Sequence, residues 1–116
     1  MWLDTHCHLD APEFASHLGG VIEAAAKNQV QGILLPAVKA SDAANIRTLV
    51  AQHTAVIPGL VYTLGIHPLY VEQSTQADLD LLATEVKDAL HDPRFVGIGE
   101  IGLDYFVEGL DRTRQA

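Results

Sequence analysis

The sequence predicts an α/β fold built on a parallel sheet. Three observations carry that prediction. Four short runs rich in Leu, Ile and Val are separated by segments with helical period. The apolar runs lack clean alternation, as strands covered on both faces do. Strand and helix also succeed one another in steps of roughly 30 residues, the usual size of a βαβ unit.

The four strand segments are MWLDTH from Met1 to His6, GILLP from Gly32 to Pro36, VIPGLVYTLGI from Val56 to Ile66, and FVGIGEI from Phe95 to Ile101. In the third, the part after Pro58 and Gly59 is the strand proper. In the first gap, Leu18, Val21, Ile22 and Ala25 recur at helical steps, and Gly19 and Gly20 predict a helix starting at or after them. In the second gap, Ser41 is the candidate cap, and Ile46, Leu49, Val50 and His53 share one face. Asp42 and Arg47 read as a solvated helix face. In the third gap, Thr75 and Asp78 form a capping box with Asp in place of Glu. Leu79, Leu82, Val86 and Leu90 make its apolar stripe, and Pro93 closes the helix. The tail GLDRTRQA reads as the beginning of a further helix.

The order β-α-β-α-β-α-β implies right-handed crossovers. Two architectures share this start: an open doubly wound sheet and an eight-stranded barrel. A barrel usually needs about 250 residues, and four strands cannot close one.

The chain has 116 residues, of which 48% are hydrophobic, enough for one domain with a core. Its 7 basic and 15 acidic residues give a net charge of -8, which argues against a protein that grips nucleic acid through a basic surface. An anionic substrate would need a local feature, and bound divalent cations are the obvious one. The single cysteine, Cys7, excludes an internal disulfide. The opening MWLDTHCHLD resembles neither a secretory signal nor a membrane anchor. A soluble, cytoplasmic protein is expected, with no membrane association and no evident protein partner.

The chemistry concentrates at strand ends. In Asp4-Thr5-His6-Cys7-His8, strand alternation puts His6 and His8 on one side, with Asp4 beside them. Two neutral imidazoles so placed can hold one divalent metal. Cys7 points the other way and reads as a small packed residue. Glu100 lies in a run of Ile and Gly, where a carboxylate is costly unless paired or metal-bound. His67, in Gly65-Ile66-His67-Pro68, stands at the same level and could bind phosphate or move a proton. His17, His53 and His91 fall within or at the ends of helices and read as surface or packing residues. Gly97, Gly99 and Gly102 match a dinucleotide-loop spacing by letter, but Glu100 and the Ile residues place them in a strand.

The motifs Asp4-to-Asp10, Leu35-Pro36-Ala37, Gly65-Ile66-His67-Pro68 and Gly97-to-Tyr105 together resemble the TatD family of metal-dependent deoxyribonucleases. The resemblance implies a fold class: the amino-terminal half, about four βα units, of a (β/α)8 TIM-type barrel. It treats residues 1–116 as a single partial barrel domain, truncated at its carboxyl end. It implies one or two divalent metal ions (Mg, Mn or Zn), with His6, His8 and Glu100 as metal ligands. Glu100, also a catalytic residue, would bridge two ions or bind one, and His67 would line the site as a catalytic and substrate-binding residue. The implied function is hydrolysis of DNA phosphodiester bonds by metal-activated water. The family's remaining ligands would lie beyond Ala116, so these 116 residues alone are expected to be inactive. Two other readings are a deacylase or other amidohydrolase on the same barrel, and a non-catalytic fragment. A doubly wound binding domain would leave His6 and His8 without a metal.

Overall fold

The computed structural model describes residues 1–116. Strand β1 (Trp2–Asp4) leads through a 3-10 turn to helix α1 (Leu18–Lys27). Strand β2 (Val30–Pro36) leads through a second turn, Ala40–Asp42, to α2 (Ala43–His53). Strand β3 (Gly59–Leu64) leads through a 3-10 segment, Pro68–Gln73, to α3 (Gln76–Ala89). Strand β4 (Phe95–Ile98) is followed by a long loop and a short helix, α4 (Arg112–Gln115). The alternating order is the predicted one.

The strands form one sheet in the order β1-β2-β3-β4, every pair parallel. A doubly wound sheet reverses its strand order at a switch point. Here the order never reverses, so right-handed crossovers put the three connecting helices on one face.

Alternation along the two central strands builds the core. Ile33 and Leu35 of β2, with Leu60, Tyr62 and Leu64 of β3, face the helices and are buried. Ile22 of α1 and Ile46, Leu49 and Val50 of α2 pack onto them. On the opposite face Leu34 and Val61 are only half-buried. Leu3 lies there over Gly32, where an added Cβ would come within 2.8 Å of Leu3 Cδ2. A barrel segment has this construction: one face packs on helices, the other awaits the rest of the interior.

Several local readings change. Helix α1 starts at Leu18, ahead of Gly19 and Gly20, with His17 as its first flanking residue. Both glycines occupy the first turn, where N–H groups lack intrahelical acceptors and glycine costs least. Asp42, not Ser41, precedes α2, and Ser41 sits inside the 3-10 turn. The Asp42 carboxylate folds back to accept from the Lys39 N–H at 2.9 Å and the Val38 N–H at 3.3 Å. Arg47 is not on a solvated face. Its guanidinium pairs with Glu85 of α3 at 2.7 Å, joining two helices. A pattern read along one helix cannot reveal a partner on another. The capping box on α3 forms as predicted: Thr75 N–H donates to Asp78 at 2.7 Å, and Asp78 N–H to Thr75 Oγ1 at 3.3 Å. That helix ends at Ala89, before Pro93. Leu82 and Val86 pack on the core, while Leu79 and Leu90 stay exposed. The tail does begin a helix: Asp111 Oδ1 accepts from Arg114 N–H at 3.0 Å.

Two outcomes follow from this packing. Ile46 is fully buried, so Ile46→Ala costs about 3 kcal/mol through lost transfer and cavity terms, read from urea unfolding. The Thr75 N–H and hydroxyl hold the Asp78 carboxyl below its ordinary 3.8. Its contribution is therefore full above that value and is lost as pH falls through the lower folded-state pKa. The gap in urea midpoint between wild type and Asp78→Ala is constant at neutral pH and narrows only in strong acid.

Candidate metal centre

The motif segments meet at the carboxyl end of the sheet, laced together by main-chain hydrogen bonds. Cys7 N–H donates to the Leu34 carbonyl at 3.0 Å, and His67 N–H to Val38 at 3.0 Å. Gly99 N–H donates to Leu64 at 3.0 Å and Glu100 N–H to Ala37 at 3.2 Å. The Leu35-Pro36-Ala37 motif thus supplies an anchor for Glu100.

Strand alternation alone does not position the three side chains. Strand β1 stops at Asp4 and β4 at Ile98, so His6, His8 and Glu100 stand just past the strand ends, not within them. Asp4 Oδ1 accepts the His6 N–H at 3.0 Å, a local turn that takes the chain out of the ladder. At the other edge, Gly99 and Glu100 bond to two different strands, so the chain is leaving β3 and crossing toward β2. Gly99 and Gly102 therefore also lie outside the strand, and no helix opens after them until α4. A dinucleotide loop has no counterpart here.

Gly65 makes the crossing possible. An added Cβ there would stand 2.8 Å from the Gly99 carbonyl carbon and 2.9 Å from the Glu100 oxygen. Those are backbone atoms, which cannot swing aside.

Three side chains converge. His6 Nε2 and His8 Nε2 lie 3.2 Å apart. Glu100 Oε2 is 3.4 Å from the first and 3.6 Å from the second. Ligand atoms of these three residues all fall within 4.8 Å of one another. Donors at about 2.1 Å from a tetrahedral ion are separated by about 3.4 Å. The observed spacings bracket that value. Glu100 Oε2 is moreover buried and accepts no hydrogen bond. A buried carboxylate oxygen facing two imidazole nitrogens, with no proton donor of its own, is a donor set that fits a divalent cation.

The other Glu100 oxygen has a different partner. His67 Nδ1 accepts the Leu69 N–H at 3.1 Å, which leaves the neutral ring's proton on Nε2. That nitrogen lies 3.2 Å from Glu100 Oε1. His67 is thus brought to the site without joining the three-residue cluster.

Cys7 packs against the core as expected, and burial, ahead of the charges of Asp4 and Asp10, pushes its thiol up. His17, His53 and His91 stay outside the cluster. Asp10 closes the first motif but received no role from the sequence. Its Oδ1 is buried without a partner, and burial, aided by Asp42, holds its carboxyl up against its own backbone bond and His8. Lys39 and Tyr70 also escaped notice. The Lys39 ammonium sits 4.6 Å from the Tyr70 ring centroid, and that ring stands edge-on to His67 at 6.2 Å. The available signal was position: each follows a motif segment at a strand's carboxyl end.

No helix is long and apolar enough to cross a membrane. The family profile described as TatD related DNase matches residues 3–116. An uncharacterized metal-dependent hydrolase of Escherichia coli, YjjV, is 33% identical over 116 residues, covering 98% of this chain and 42% of its own length. An uncharacterized metal-dependent hydrolase of Haemophilus influenzae is 36% identical, over 94% of this chain and 40% of its own. The human deoxyribonuclease TATDN3 is 31% identical, over 89% and 38%. The crystal structure of the Escherichia coli TatD homologue YjjV superposes with a TM-score of 0.84 at 32% identity, covering 98% of this chain and 42% of that one. The chain spans about two fifths of the length of these relatives. Its four parallel βα units match the amino-terminal part of a (β/α)8 barrel, and the chain belongs to the TatD-related DNase family.

Proposed function

We propose that this chain carries the metal-binding, amino-terminal part of a deoxyribonuclease that cleaves DNA phosphodiester bonds. One observation supports it above the others: Glu100 Oε2, buried and without a hydrogen-bond donor, faces the paired Nε2 atoms of His6 and His8 at coordination spacing. The names of relatives such as human TATDN3 support DNA as the substrate. Residues 1–116 serve as one partial barrel domain, in a cytoplasmic setting that an unpaired Cys7 suits.

Each residue has a distinct task. His6, His8 and Glu100 Oε2 hold one divalent ion, Mg, Mn or Zn. When bound, such an ion lowers the pKa of a water molecule and offsets charge developing on phosphorus. His67, with its proton fixed on Nε2, offers a donor to a substrate oxygen or to the leaving group. Glu100 Oε1 holds that donor in place until substrate arrives. Gly65 lets the Glu100 peptide close against β3. The net charge of -8 is then no obstacle, because phosphate is met by a cation and not by a basic surface.

Titration calorimetry with Mn²⁺ or Zn²⁺ on the 116-residue chain checks the ligands. One ion binds per chain, and His6→Ala or Glu100→Gln weakens it by about a hundredfold. Gly65→Ala, which keeps every ligand, weakens it by about tenfold because Glu100 is displaced. Unchanged affinity in Glu100→Gln removes the metal centre.

Turnover belongs to a full-length barrel carrying these residues, and the 116 residues alone are inactive. That barrel, given Mg²⁺ or Mn²⁺, is assayed on single-stranded DNA, aminoacyl-tRNA and a simple lactone. DNA is cleaved, and His67→Ala lowers kcat/KM by about a hundredfold to ten-thousandfold. Activity confined to the carbonyl substrates replaces the nuclease with a deacylase.

A further inference from the structure

The chain is acidic, yet its few cations are unevenly placed. Lys27 and Lys87 lie in the last turns of α1 and α3, at the end of the molecule away from the metal centre. Arg47 is paired with Glu85, and Arg94 bonds the carbonyls of Pro58 and Leu60. On the carboxyl-end loops, Arg114 bonds the carbonyls of Val71 and Ser74. Lys39 makes no ion pair within 4.0 Å and is exposed.

Lys39 is nonetheless placed with care. Its backbone N–H is fixed by Asp42, and the carbonyl of the preceding residue, Val38, accepts the His67 N–H. Its ammonium rests over the Tyr70 ring at 4.6 Å. The Tyr70 ring touches His67, whose Nε2 reaches Glu100 at 3.2 Å. A row therefore runs outward from the metal centre: Glu100, His67, Tyr70, Lys39. A cleft of about 110 Å³, lined by Lys39, Tyr70, Ser41 and Asp78 among others, opens beside its outer end. A second cation–ring pair, Arg112 over Tyr105 at 4.5 Å, lies on the loop that follows Glu100.

We propose that Lys39, steadied by Tyr70, is a binding residue for a DNA phosphate flanking the one at the metal centre. A strand of nucleic acid presents a row of anions, and a cation one step out from the reacting group fixes its register. The aromatic ring keeps a flexible ammonium in place without neutralising it. A carboxylate partner would have done the opposite. The inference rests on the nucleic-acid reading of the metal centre, and it concerns binding, not cleavage.

The test is fluorescence anisotropy of a labelled single-stranded DNA tetranucleotide with the Mn²⁺-loaded 116-residue chain. K39Q weakens binding by about fivefold to tenfold and flattens the log–log salt dependence by about 0.7, the value for one phosphate contact on a single strand. K39R and Y70F bind within about twofold of wild type, Y70L weakens binding about threefold, and K87Q has no effect. Replacing one linkage with an uncharged methylphosphonate abolishes the difference between wild type and K39Q. Binding unchanged in K39Q, an equal loss in K87Q, an unaltered salt slope or no DNA binding by wild type each overturns the proposal. DNA held through Lys39 but not cleaved by the full-length barrel would instead defeat the nuclease reading. Cleavage with K39Q binding as wild type would defeat only this one.

Discussion

The carboxylate of Glu100 is the group on which the site depends. It sits among apolar and glycine residues at the end of an edge strand, where an isolated charge would be costly. Its two oxygens solve that problem differently. Oε1 lies 3.2 Å from His67 Nε2, and Oε2 faces His6 and His8. The division is enforced from behind. Leu69 fixes the His67 tautomer, and the Ala37 carbonyl fixes the Glu100 peptide. Remove the tautomer lock and His67 could turn an acceptor toward the carboxylate, which would repel it.

The two faces of the sheet show how the rest is arranged around that group. On the helix side, Leu35, Tyr62, Leu60 and Ile46 are sealed and supply the rigidity the loops require. On the other side, Leu3 stays accessible. The sealed core residues are apolar, and the residues of the proposed metal centre sit where side chains are partly exposed. This is the usual division of labour in parallel α/β folds, where loops at the carboxyl ends of strands do the work.

How much of this was legible in the sequence differs by kind of feature. The α/β order, the capping box of Thr75 and Asp78 and the strand cores could be read because they depend on neighbours along the chain. His6, His8, Glu100 and His67 could be picked out because polar groups stood at the ends of apolar runs. Their convergence could not be derived from spacing, since His8 and Glu100 are far apart in sequence; the resemblance to a known family supplied it. Arg47 was misread for the same reason, because its partner Glu85 is on another helix. The exposed Leu79 and Leu90 looked like core, because periodicity reports a stripe but not whether anything covers it. Gly19 and Gly20 misled because a residue's cost in a helix depends on the turn it occupies.

The contact between His6 and Glu100 also says something about the sheet itself. The two residues follow β1 and β4, which are opposite edges. Adjacent strands lie about 4.8 Å apart, so in a flat sheet these edges would be separated by about 14 Å. Yet His6 and Glu100 come within 3.4 Å. Loops that turn inward and two long side chains together cover that span. The hydrogen bonds from Cys7 to Leu34 and from Glu100 to Ala37 aim both loops over the carboxyl end of β2. A cation held between those donors would bridge the two edges of the sheet, β1 and β4.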